Sequence, residues 1–244
     1  MSARLDPTCR GSLILVNAGH PYCGWEPELA PVGGVLLERR AAALLERLMA
    51  RMHGWDGIAA VSGWRPHVEQ RGLWEQSLRD NGEDFTRRFV ARPGHSEHET
   101  GLAIDLGLRG EPLDAIRPHF PDEGAARAFR RLAAGHGFVE RYPAGKEHIT
   151  GIAAEPWHFR YVGVPHAAIM VKFGFILEEY HDFLRRFPYG GAPFCFTEGE
   201  RSFEISRLTG AQTPPQTDGT AVVSGDNMGA QILTVWREGA AVWQ

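Results

Sequence analysis

The chain has 244 residues, 43% hydrophobic and 23% charged, with a formal net charge of −4. That length and balance suit one globular domain, or one domain with an appendage, large enough to bury a core. They give no electrostatic argument for nucleic acid or an anionic membrane as partner, and no apolar run approaches the ~20 residues of a membrane-spanning helix.

Taken in chain order, Leu13 to Val16 reads as a short buried strand. It is too short for the apolar core of a secretory signal, so a cytoplasmic protein is expected. Residues 19–34, rich in Pro and Gly, read as a loop. The clearest helix is Leu36 to His53: Leu36, Leu37, Ala41, Leu44, Leu45, Leu48 and Met52 recur at helical spacing, and Gly54 stops it. A strand over Ile58 to Val61 and a helix over Glu69 to Asp80, ending at Asn81-Gly82, follow. Gly101 to Leu106 alternates as a strand that places Ala103 and Asp105 on one face. Gly124 to His136 reads as a helix stopped by Gly137. Trp157 to Val162 is a second alternating strand, with His158 and Arg160 sharing a face, and His166 to Phe173 and Leu177 to Phe187 read as helices.

From Tyr189 onwards the pattern changes to strands around Phe194–Phe196, Phe203–Ile205 and Ile232–Trp236, with a linker over 210–219 and a hairpin turn at Gly225-Asp226-Asn227. The expected division is a catalytic domain over 1–188 and a β-rich C-terminal extension over 189–244, packed on it. The cysteines are Cys9, Cys23 and Cys195; their odd count and wide spacing argue against a disulfide framework and a Cys-based zinc site, and favour free thiols.

Chemistry concentrates in Gly94-His95-Ser96-Glu97-His98-Glu99-Thr100-Gly101-Leu102-Ala103-Ile104-Asp105 and, later, Glu155-Pro156-Trp157-His158. His98, Asp105 and His158 offer two imidazoles and a carboxylate, three corners of a tetrahedral Zn²⁺ site, with ligand distances of about 2.0–2.2 Å. If the strands carrying Asp105 and His158 are neighbours, the three converge and a fourth position stays open, as in a catalytic rather than a structural zinc site. His95 is the rival first ligand. Glu155 is the candidate general base for an attacking water. Three residues along a flat strand would put Glu155 and His158 on opposite faces, and Pro156 disfavours a helix there, so Glu155 must enter from a turn or bend preceding the strand.

Ser62-Gly63-Trp64-Arg65, Gln70, Ser96-x-His98-x-x-Gly101-x-Ala103-x-Asp105 and Glu155-Pro156-Trp157-His158-Phe159-Arg160-Tyr161 together resemble the VanY-type zinc D-alanyl-D-alanine carboxypeptidases and their VanXY relatives, over roughly positions 55 to 165. The resemblance implies an α+β fold with a central antiparallel sheet carrying the zinc, flanked by helices, and a small β-rich C-terminal appendage outside the shared core. It implies Zn²⁺ on His98, Asp105 and His158, Glu155 as base, and Arg65 beside the scissile amide, where a guanidinium can donate to a developing oxyanion. Ser96 and Gln70 would hold the substrate's terminal carboxylate or nearby polar groups. The implied substrate is a D-Ala-D-Ala dipeptide or a muramyl pentapeptide ending in D-Ala-D-Ala. An L,D- or L-Ala-D-Glu peptidase of the same fold is the alternative enzyme. A non-catalytic cell-wall-binding module is less favoured, because a structural zinc needs neither Glu155 nor Arg65.

Overall fold

The computed structural model describes residues 6–112, 114–210, 212–213 and 221–237. They fall into two compact units: residues 16–176, and residues up to 15 together with those from 177 onwards. The boundary between these units lies at 176/177, and the helix that begins at Leu177 groups with the C-terminal strands.

In the unit of residues 16–176, Val32-Gly33-Gly34-Val35 is a tight hairpin turn. Gly33 and Gly34 both take positive φ (59° and 93°), which side chains resist, and this lets β1 (Leu29–Val32) pair antiparallel with β2 (Val35–Glu38). The loop expected over 19–34 therefore ends in a strand. The expected helix loses its first residues to β2, because Glu38 is its N-cap: the carboxylate accepts from Arg40 N–H and Ala41 N–H at 3.0 Å each. Helix α1 (Arg39–Met52) buries Ala41, Ala42, Leu45, Leu48 and Met49, about 1.5–3 kcal/mol for each of the large side chains.

Strand β3 (Ile58–Ser62) follows, then α2 (His67–Phe89). The expected stop at Asn81-Gly82 is a break inside α2: Gly82 has φ 80° and ψ 174°, and helix resumes beyond it. Strand β4 (Ala103–Leu108), α3 (Gly124–Ala133), β5 (Phe138–Tyr142), the single turn α4 (Glu147–Thr150), β6 (Glu155–Tyr161) and α5 (His166–Phe173) complete the unit. The central sheet is antiparallel in the order β3-β4-β6-β5. Strand β5 has no counterpart in the sequence reading, since Glu140-Arg141 interrupts its apolar run. On one face of β6, Phe159 packs edge-on against Phe129 (4.8 Å between centroids) and Phe120 (5.7 Å), fastening α3 to the sheet. The opposite face of β6 presents His158 and Arg160.

In the other unit, α6 (Leu177–Leu184) accompanies β7 (Phe194–Glu198), β8 (Arg201–Thr209), β9 (Ala221–Gly225) and β10 (Ala230–Arg237), an antiparallel sheet in the order β7-β8-β10-β9. Phe183 and Phe187 meet Phe194 at 4.9 and 5.3 Å between centroids, which joins the helical segment to the sheet. Asp226 organises the β9–β10 turn by accepting from Met228 N–H and Ala230 N–H. The linker expected over 210–219 lies largely outside the described residues. Leu13 to Leu15 is not a ladder strand. It is fully buried, and its polar groups go to side chains and a turn: Leu13 N–H donates to Ser224 Oγ, and Leu15 N–H to Asp226 O. Cys195 is a free, exposed thiol. Among the described residues, no helix is long and apolar enough to cross a membrane.

Candidate active site

The register of the central sheet creates the site. Asp105 on β4 pairs directly with His158 on β6, so their side chains emerge side by side on one face. His98 arrives from a 3₁₀ turn (Glu97–Thr100) just before β4. Gly101 ends that turn at φ 72°, and its carbonyl accepts from Glu38 N–H. Glu99 secures the approach, taking Gly94 N–H at 2.7 Å and His67 Nδ1 at 2.9 Å.

The result is a buried cluster. His98 Nε2 lies 3.1 Å from Asp105 Oδ2, and His158 Nδ1 lies 2.9 Å from Asp105 Oδ1. One ligand-capable atom from each of the three falls within 4.8 Å of the others. Two imidazoles and a carboxylate, with no thiol, are the donor set of a catalytic zinc site, so the residues present fit such an ion. His98 Nδ1–H donates to Gly63 O at 2.7 Å, which leaves Nε2 facing the cluster. His95 stands outside it, with Nδ1 bonded to Asn17 O.

Glu155 Oε2 is 3.8 Å from His158 Nδ1. It does not enter from a turn before the strand, as expected; it is the first residue of β6. The pairing of β5 with β6 shifts between Glu140/Phe159 and Tyr142/Glu155, and this irregularity breaks the alternation that would have turned Glu155 away. Arg130 on α3 pins the same spot by donating to Pro156 O at 2.6 Å.

Burial pushes the Glu155 carboxyl up to about 8, with His158 opposing and Asp105 and Glu97 adding to the rise. Burial disfavours charge on His158 too, but hydrogen bonds to Asp105 and Glu97 outweigh it and raise His158 to about 10. Burial would raise Asp105, yet the two histidines hold it well below the ordinary carboxylate range. His98 is lowered by burial, against the pull of Asp105.

The cluster forms one wall of a cleft whose other walls include Leu73, Phe89, Ile116 and Ile152. Arg65, Gln70 and Ser96 all line it. Arg65 is held in place by donating from Nη1 to Gln70 Oε1 (2.8 Å) and from Nη2 to Ser62 Oγ (2.7 Å). Gln70 in turn donates to Ala91 O at 2.7 Å. Sequence reasoning missed Glu97, Arg141, Arg160, Ser62 and Arg130 as parts of this assembly. Arg160 carried a signal, since it shares a strand face with His158; Glu97 had adjacency to His98; Arg141 and Arg130 had none.

Comparison with known proteins agrees with the geometry. The family described as VanY, D-alanyl-D-alanine carboxypeptidase, matches residues 34–164, and the chain belongs to that family. Among particular proteins, it is 47% identical over 180 residues to the bifunctional D-Ala-D-Ala dipeptidase and D-Ala-D-Ala carboxypeptidase VanXYC of Enterococcus gallinarum, covering 71% of this chain and 95% of that one. The crystal structure of the vancomycin-resistance D,D-dipeptidase VanXYg with a D-Ala-D-Ala phosphinate analogue superposes with a TM-score of 0.88 at 39% identity, over 95% of this chain and 96% of that one. The D,D-pentapeptidase VanY of a VanB-type resistance cassette, a point mutant in complex with Zn(II), superposes with a TM-score of 0.58 at 29% identity, over 70% and 98% of the two chains.

Proposed function

We propose that this protein is a zinc-dependent D,D-peptidase that hydrolyses the D-Ala-D-Ala bond of dipeptide or of muramyl pentapeptide precursors. The observation that carries the reading is the placement of Glu155 Oε2 3.8 Å from His158 Nδ1, beside the His98–Asp105–His158 cluster and within a cleft that Arg65 also lines. His98, Asp105 and His158 would hold the ion. Bound there, zinc supplies Lewis acidity, acidifying a water and polarising the scissile carbonyl.

The chain's own groups do the rest. In its ionised form Glu155 takes a proton from the attacking water and passes it to the leaving amine nitrogen as the amide C–N bond breaks. Arg65 keeps N–H groups beyond those given to Gln70 and Ser62, and donates them to the carbonyl oxygen as negative charge develops. Gln70 holds that guanidinium, and Ser96 offers a hydroxyl to the substrate's terminal carboxylate. The apolar side chains around the cleft suit the alanine methyl groups and exclude water.

Within a cytoplasmic setting the substrates would be free D-Ala-D-Ala and nucleotide-linked pentapeptide. The test is D-alanine release by the zinc-loaded protein from each. Release from both supports a bifunctional D,D-peptidase, and release from one assigns the preference. No release from either, with zinc bound, rejects the D,D-peptidase reading in favour of an L,D-peptidase or a binding module.

A further inference from the structure

Glu97 sits between Ser96 and His98, and its carboxylate is wholly buried. Oε1 accepts from Arg141 Nε at 2.8 Å and from Arg160 Nη1 at 2.7 Å, both guanidiniums being wholly buried. Oε2 faces His158 Nε2 at 3.3 Å. Three elements converge here: the turn that carries His98, strand β5 and strand β6. Burying a carboxylate with two arginines is costly unless every member is satisfied; Glu97 lines the cleft but the mechanism gives it no contact with substrate, and the two arginines do not line it.

We propose that Glu97 is a positioning residue: clamped by Arg141 and Arg160, it fixes which nitrogen of His158 faces the metal. The proposal rests on the reading of His98, Asp105 and His158 as ligands. An ionised carboxylate only accepts. With Oε1 taken by two guanidiniums, Oε2 requires the His158 proton on Nε2. Without metal, Nδ1 faces Asp105 Oδ1 at 2.9 Å and carries a proton too; when a metal would displace that proton, the one N–H left on the neutral ring stays on Nε2 against Glu97, and Nδ1 presents its lone pair. His98 solves the same problem the other way round: its Nδ1–H goes to a backbone carbonyl and Nε2 faces the cluster. The two histidines thus present opposite nitrogens, each chosen by its own partner, and only His158 has an anionic one.

The test is Glu97→Gln, which keeps the size of the side chain. The two guanidiniums retain the amide oxygen, so the NH₂ group turns to His158 Nε2, donates to it, and drives the ring proton to Nδ1. Expected are zinc affinity lower by about 10–100-fold, by chelator competition, and a ¹⁵N spectrum of the metal-free variant in which His158 loses the Nε2 proton that metal-free wild type carries, keeping only that on Nδ1, while His98 is unchanged. Zinc affinity within twofold of wild type would overturn the proposal. A second measurement does not depend on the variant folding: in the zinc-loaded wild type, the His158 ring proton must lie on Nε2. Finding it on Nδ1 would overturn the proposal as well. Wild-type protein that binds no zinc would instead reject the ligand reading beneath it.

Discussion

At the scale of single residues, the site is a set of charges that are tolerable only in combination. In the metal-free protein His158 is raised to about 10, so at pH 7 its imidazole is protonated, with Asp105 at one nitrogen and Glu97 at the other. A metal needs the Nδ1 lone pair, so the proton must leave as the ion enters. His98 is lowered and already neutral, and contributes no proton. The sign follows: apparent zinc affinity rises with pH across the neutral range, by about tenfold per unit for each proton released. Calorimetry in buffers of different ionisation enthalpy should show at least one proton released per zinc at pH 7; an affinity flat between about pH 6 and 8 would contradict this. Arg65→Lys keeps the charge but loses the fork that Ser62 and Gln70 hold. We expect kcat to fall by about 10²–10³ with KM less affected, as for the loss of an oxyanion donor. An unchanged kcat would remove Arg65 from the chemistry.

At the scale of elements, register and a few special backbone positions place His98, Asp105 and His158. Gly101 takes φ 72°, and a Cβ there would lie 3.0 Å from the Glu38 amide nitrogen. Gly101→Ala should cost about 1–2 kcal/mol from the left-handed conformation alone, read as a lower midpoint in denaturant, and should weaken zinc binding because the turn carrying His98 must shift. A variant as stable as wild type, with unchanged zinc affinity, would show that the turn is not constrained. Much of this level was legible. Strict alternation marked β4 and β6, and with it the shared face of His158 and Arg160. The apolar repeat marked α1, and Gly137 marked the end of the α3 region. What escaped has physical causes. Val32-Gly33-Gly34-Val35 is a hairpin signal, but it lay inside a segment whose prolines pointed to a loop. Glu38 looked like one of the helix's surface charges, although its carboxylate caps the N-terminus. Leu13 to Leu15 has the composition of a strand, yet side chains and a turn satisfy its backbone, which no local pattern encodes. The break in alternation that turns Glu155 towards His158 depends on pairing with β5, a strand whose charged centre concealed it. The His98–Asp105–His158 cluster, with Glu155 beside it, was readable as a candidate site from residue type and family motif; the arginines that hold Glu97 were not, because their partners are distant in the chain.

At the scale of the whole molecule, the α+β arrangement does one thing above all: it brings residues from before β4, from β4 and from β6 to one face of an antiparallel sheet, and leaves a cleft above them. The cluster is hydrogen-bonded without an ion, through His158–Asp105, His98–Gly63 and Glu97–arginine contacts. Chelation should therefore abolish turnover while leaving the far-ultraviolet circular dichroism intact. Re-adding zinc at about 100 times its Kd should raise stability by about 2.7 kcal/mol. Loss of secondary structure on chelation would mean that the metal is structural rather than catalytic.

The proposed mechanism depends on Glu155 acting as the base beside a metal that His98, Asp105 and His158 would hold. One paired measurement tests this most directly: zinc content and D-alanine release from D-Ala-D-Ala, for wild type and Glu155→Gln. Both proteins should carry one zinc per chain, and turnover in the variant should fall by about 10²–10⁴, the usual worth of a general base. Full turnover by zinc-loaded Glu155→Gln, or loss of zinc from it, would contradict the assignment.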